Sequence, residues 1–180
     1  MKSKELLLPG CYVYSEGKKN DPVLGEVMYD YAELAKCGQK QVFSVHFEME
    51  FAKANVLRGF YIQDAPFEQS CMVRCISGAA EITLLDLREH SSTYLKHVAV
   101  ELSGESGALL FFPSGVAYAM LSCADDTVLY FMADRGVAES LSLTINAVDP
   151  KLNCKWPRDV AMSAVERSAQ RVDELKHNYW

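Results

Sequence analysis

Val42-Phe43-Ser44-Val45-His46-Phe47-Glu48-Met49-Glu50-Phe51 alternates with a period of two. Phe43, Val45, Phe47, Met49 and Phe51 fall on one side, and Ser44, His46, Glu48 and Glu50 on the other. Successive side chains of an extended strand point to opposite faces, so the stretch predicts a strand with one buried and one polar face. Outward from it, similar runs occupy residues 11–15, 56–63, 71–77, 80–88, 96–102, 108–112, 116–122, 128–133 and 141–145. Turn signals separate them: Asp64-Ala65-Pro66, Ser77-Gly78, Ser103-Gly104-Glu105-Ser106-Gly107, Pro113-Ser114-Gly115 and Asp125-Asp126. Many short strands at even spacing predict an all-β antiparallel sandwich or barrel.

Two segments break this rhythm. Residues 31–37 carry Leu34 and Ala35 ahead of Gly38, which predicts a short helix with a glycine stop. From Ser163 onward, Val165, Ala169, Val172 and Lys176 are spaced for a helix, and Ser163 with Glu166 forms a capping-box pattern. A C-terminal helical tail over 158–180 is therefore expected beyond a core of about 21–157. Lys18-Lys19-Asn20-Asp21-Pro22 reads as an exposed loop.

The 180 residues, 49% apolar and 23% charged, suit one globular domain that holds together without disulfides or a structural metal. A net charge of −6 excludes a strongly basic nucleic-acid surface. The three leucines before Pro9 are too few for a secretory core, and no apolar run is long enough to span a membrane, so a cytoplasmic location is expected. The six cysteines form no Cys-x-x-Cys pair and mostly lie in apolar runs, which predicts buried, reduced thiols.

Val56-Leu57-Arg58-Gly59-Phe60-Tyr61-Ile62-Gln63 resembles the V-L-R-G-L-H-Y-Q strand of the dTDP-4-dehydrorhamnose 3,5-epimerase family. The likeness continues through Val73-Arg74-Cys75-Ile76-Ser77-Gly78, Asp86-Leu87-Arg88, Leu110-Phe111-Phe112-Pro113-Ser114-Gly115, Asp149-Pro150-Lys151-Leu152-Asn153 and Trp156-Pro157. It spans roughly residues 21–169 in order. The resemblance implies an antiparallel jelly roll of the cupin type, a homodimer, a nucleotide-sugar ligand and no cofactor.

It also implies a set of site residues, several of them changed. The family's base histidine falls on Tyr61, its lysine on Cys71, its second pocket histidine on Tyr118 and its acid tyrosine at Arg135 or Gly136. An early arginine falls on Leu24, while Arg58, Gln63 and Asp149 are kept. Epimerisation beside a ketone needs a base, an acid on the opposite face and a donor for the enolate oxygen. Tyr61, Tyr118 and Asp149 are therefore the catalytic candidates; Arg58, Gln63, Cys71 and Arg135 are the substrate-binding ones.

His46 and Glu48 join the binding candidates because alternate residues on a strand share a face. With Glu50 they present one imidazole and two carboxylates, a set that a divalent transition metal accepts. The resembled epimerases need no metal, and of the four histidines, His46, His90, His97 and His177, only His46 sits on a pocket strand. Three functions stand open: a nucleotide-sugar epimerase or isomerase with altered chemistry, a catalytically silent binding cupin, and a metal-dependent cupin.

Overall fold

The computed structural model describes residues 1–15, 20–23, 25–27 and 29–175. In chain order it contains β1 (Lys2–Glu5), β2 (Tyr12–Ser15), the two-residue pair β3 (Asn20–Asp21) and β4 (Gly25–Glu26), and α1 (Tyr31–Lys36). Then follow β5 (Val45–Phe51), β6 (Leu57–Gln63), β7 (Cys71–Ser77), β8 (Ala79–Asp86), β9 (His97–Ser103), β10 (Leu109–Phe112), β11 (Val116–Ser122), β12 (Thr127–Ala133), β13 (Ser142–Thr144) and α2 (Ala164–Arg167). Two antiparallel sheets, ordered β1-β2-β10-β7-β12-β5 and β13-β6-β11-β8-β9, pack face to face as a jelly roll.

Alternation along the strands explains the packing. On β5, Val45, Phe47, Met49 and Phe51 turn inward while His46, Glu48 and Glu50 are exposed. The central strands are apolar on both faces because both faces are covered. On β7, Cys71, Val73 and Cys75 enter the inter-sheet core with Phe51, Ile82, Leu84, Phe112, Met120 and Phe131. Met72 turns outward instead, toward Phe43, Phe111 and Leu34 of α1. On the opposite sheet, Phe60, Ala117, Ala119 and Leu121 turn outward and are covered by Ile145, Ala147, Leu152, Trp156 and Val172. Burying a side chain of this size stabilises by about 1.5–3 kcal/mol, so these covering segments are held by apolar contact.

One bulge in β6 shapes the interior. Tyr118 pairs with Tyr61 and Met120 with Arg58, so the three-residue step on β6 faces a two-residue step on β11. The extra residue puts Arg58 and Tyr61 on the same inner face. Gly59, at φ +99°, takes the backbone conformation that the bulge requires.

Three expectations are corrected. First, β1 carries no apolar pattern: all four of its residues are exposed, as suits a charged edge strand. With β2 it brings the core forward of residue 21, and Leu8, Cys11 and Tyr14 are buried. Second, the strand predicted from Val42 begins at Val45. Third, the C-terminal tail is not a continuous helix. The capping box of Ser163 and Glu166 forms, but α2 lasts one turn, and Gln170 instead bridges to Ile145. Val172 is buried in the following 3-10 turn while Val165 is 64% exposed, so the apolar spacing serves two elements rather than one helix face. Lys18, Lys19, Leu24, Lys176 and His177 lie outside the described residues.

Candidate functional site

β6 and β11 bring Tyr61 and Tyr118 together at one end of the barrel. Their rings lie 5.9 Å apart between centroids at 69°, an edge-to-face contact. Tyr118 also contacts Phe112 at 5.2 Å and Phe131 at 5.3 Å, and Phe131 stacks on Phe47 at 5.2 Å and 6°. The aromatic ladder thus fills much of the interior. A cavity of about 90 Å³ remains at the mouth, lined by Phe47, Tyr61, Gln63, Gln69, Tyr118 and Val137 among others.

Tyr61 donates its hydroxyl to Glu166 Oε1 at 2.6 Å. Burial raises its pKa above the usual 10, the bonded Glu166 carboxylate raises it further, and nearby Arg58 only partly offsets them. Tyr118 is raised more strongly, by burial first and then by Cys71 and Tyr61. Both phenols are therefore neutral near pH 7. Glu166 is 5% exposed, and burial opposes its ionisation. Hydrogen bonds from Ser163 and Tyr61 outweigh that cost and hold it below the usual carboxylate range. Ser163 supplies both its N–H, at 2.9 Å, and its hydroxyl to Glu166 Oε2.

The other expected residues divide into two groups. Arg58 shares the inner face, its guanidinium 4.7 Å from the Phe51 ring centroid. Gln63, 6% exposed, accepts the Ala138 N–H at 2.9 Å and so ties the rim to β6. Cys71 lies against Tyr118 within the core, 2% exposed, its thiol pushed up by burial and then by Asp134. It is a wall residue and not an ionised nucleophile.

Four candidates stand elsewhere or in other contacts. His46 and Glu48 are on the outer face, not in the barrel, because the inward positions of β5 belong to its apolar residues. His46 Nε2 donates to the Phe43 carbonyl at 3.2 Å, and its Nδ1 lies 2.7 Å from Tyr130 Oη in a second hydrogen bond. Among the described residues no cluster of three His, Cys, Asp or Glu groups is arranged to hold a metal. Asp149 is buried and accepts the Lys151 and Val172 N–H groups at 3.0 and 2.9 Å, so it caps a turn and anchors the tail. Arg135 is exposed at the rim and donates to the Pro66 carbonyl at 2.9 Å.

The sequence pattern marks Glu166 as a helix cap and carries no sign of its contact with Tyr61. Its capping-box pattern was legible. Its reach to Tyr61, 105 positions earlier, depends on how the tail packs across the sheet.

Comparison with known proteins agrees with this barrel. A dTDP-4-dehydrorhamnose 3,5-epimerase of Sinorhizobium fredii is 34% identical over 107 residues, covering 59% of this chain. The chain spans a little over half, 55%, of that curated relative's length. The crystal structure of a dTDP-4-dehydrorhamnose 3,5-epimerase from Bacillus anthracis, with TDP and PPi bound, superposes with a TM-score of 0.87. That match has 20% identity and covers 95% of this chain and 99% of the other. A 3'-monoepimerase from Streptomyces bikiniensis in complex with dTDP-quinovose superposes at 0.81, with 21% identity over 92% of this chain and 85% of the other. The model of the dTDP-4-dehydrorhamnose 3,5-epimerase family matches residues 6–174, which takes in both sheets from β2 through β13 and the tail that carries Glu166. The chain therefore belongs to the dTDP-4-dehydrorhamnose 3,5-epimerase family.

Proposed function

We propose that the protein binds a nucleoside-diphosphate 4-keto-6-deoxyhexose, of the dTDP-linked kind, at the mouth of the barrel and moves a proton on a carbon beside the keto group. The observation that carries this reading is the register pairing of Tyr61 with Tyr118, two phenols in edge-to-face contact at the cavity. Enolisation beside a ketone needs donors aimed at the oxygen where charge develops. Tyr118, held neutral, is such a donor; Tyr61 faces the same space. Arg58 shares that inner face, and its planar fork suits a diphosphate. The product would enter deoxysugar, polysaccharide or glycosylated natural-product assembly. Family likeness supports a homodimer and a cytoplasmic location; no helix among the described residues is long and apolar enough to cross a membrane.

Incubation with dTDP-4-keto-6-deoxyglucose in deuterated water tests the reading. Deuterium at C3 or C5 supports it, and Tyr61→Phe is expected to suppress the incorporation. No incorporation by the wild-type protein overturns the catalytic reading.

A second reading is favoured by the two mouth phenols, both raised above the usual tyrosine range by burial first, neither of which is a base near neutral pH. In it the protein is a catalytically silent binder of a sugar nucleotide. Saturable binding without deuterium incorporation selects this alternative.

A further inference from the structure

We propose that Glu166 is the positioning residue and proton acceptor behind Tyr61, so that a tyrosine–glutamate relay abstracts the substrate proton. The inference rests on the enolisation reading above and names how the proton leaves.

Neither phenol at the mouth is a base near pH 7. The carboxylate that Tyr61 touches is ionised, 2.6 Å from the hydroxyl, and 5% exposed. It does not reach Tyr61 by chance of a mobile surface side chain. Its other oxygen is fixed by the Ser163 N–H and hydroxyl, so the capping box of α2 orients the whole carboxylate. The tail holding α2 is in turn packed on β6 and β11 through Val172 and Trp156.

The step balances without a further reactant. The C–H bond beside the keto group breaks and its proton goes to Tyr61 Oη. The phenolic proton passes at the same time to Glu166 Oε1. The electron pair of the C–H bond becomes the new carbon–carbon π bond, and the carbonyl π pair moves to the oxygen, giving an enolate hydrogen-bonded by Tyr118. The proton then held by the Tyr61–Glu166 pair exchanges with solvent, and reversal delivers a solvent-derived proton to the carbon. Because the two transfers are coupled, no free phenolate forms, and the raised pKa of Tyr61 does not stop the reaction. Asp149, whose oxygens are taken by backbone N–H groups, has no part in it.

Glu166→Gln removes the acceptor while keeping a residue type that a capping box takes. It is expected to lower deuterium incorporation on the order of a hundredfold. Combined with Tyr61→Phe it should be no worse than Tyr61→Phe alone, since both act in one step. Val165→Ala, at a position of α2 that is 64% exposed and outside the relay, is expected to leave both Tm and incorporation at the wild-type level.

A readout apart from activity is the ring-carbon NMR titration of Tyr61, assigned by its loss in Tyr61→Phe. Replacing the carboxylate should shift that titration to lower pH. Incorporation that survives Glu166→Gln unchanged, or a Tyr61 titration that does not move, overturns the relay alone. A wild-type protein with no incorporation overturns the enolisation reading together with the relay.

Discussion

Gly59 lies so close to Tyr118 that a Cβ added to it would stand 2.6 Å from the Tyr118 carbonyl oxygen and 3.0 Å from Ala119 Cα. The contact is backbone to backbone, so no side chain can turn aside to relieve it. The same glycine holds φ +99°. It therefore lets β6 bulge against β11 and sets Arg58 and Tyr61 on one face. Gly59→Ala is expected to destabilise the protein by at least about 2 kcal/mol, through strain and through lost β6–β11 pairing. Urea unfolding measures this, and an unchanged midpoint would contradict the account.

Acid stability should depend on Asp86. It is fully buried, accepts both Arg88 Nε and Nη2 at 2.8 Å, and also takes the hydroxyls of Ser91 and Thr93. Burial alone would raise its pKa, but the Arg88, Thr93 and Ser91 hydrogen bonds win and hold it at about 2. In the unfolded chain the value returns to near 4. A carboxyl lowered on folding stabilises fully above the unfolded value, here by about 2 kcal/mol, and loses that contribution as the pH falls towards 2. The stability gap between wild type and Asp86→Asn should thus be widest above about pH 5 and close on acidification. Denaturant unfolding at a series of pH values checks it; a gap independent of pH would remove Asp86 as the source.

Much of the fold was written in local pattern. Residues 71–77 and 116–122 are strands as predicted, because β-branched and aromatic runs between turn residues have few other ways to bury themselves. Lys2–Glu5 was invisible because an exposed edge strand needs no apolar residues, only a partner's backbone. His46 and Glu48 were on the right strand and the wrong side. Alternation says that they share a face, but only the second sheet decides which face is inside. Glu166 was legible as a cap and not as a partner of Tyr61, since a contact across 105 positions leaves no local signal.

The thiols should differ in reactivity by position. Cys123 is exposed, whereas Cys11, Cys71 and Cys75 are buried. Burial pushes Cys11 up to about 12 and Cys75 to about 11, and raises Cys71 too. The thiolate is the nucleophile, so both access and ionisation protect the buried group. A short alkylation pulse near pH 8, read by peptide mass spectrometry, should label Cys123 first and Cys71 only as the protein unfolds. Equal labelling of Cys71 and Cys123 in the native protein would return Cys71 to the list of accessible site residues.

Tyr118→Phe separates chemistry from packing at the mouth. The ring keeps its contacts with Tyr61, Phe112 and Phe131 in either residue, because all three are made by the aromatic face and edge. The substitution deletes one hydroxyl and leaves no cavity larger than that group, so stability should change by less than about 1 kcal/mol. If Tyr118 holds the enolate oxygen, loss of its single donor should cost about 10²–10³ in the rate of deuterium incorporation. The combination of an intact unfolding midpoint and a rate lowered to that extent is the expected result. A wild-type rate in Tyr118→Phe would mean that the oxyanion is held by another group, and the Arg58 guanidinium on the same inner face would be the next to replace.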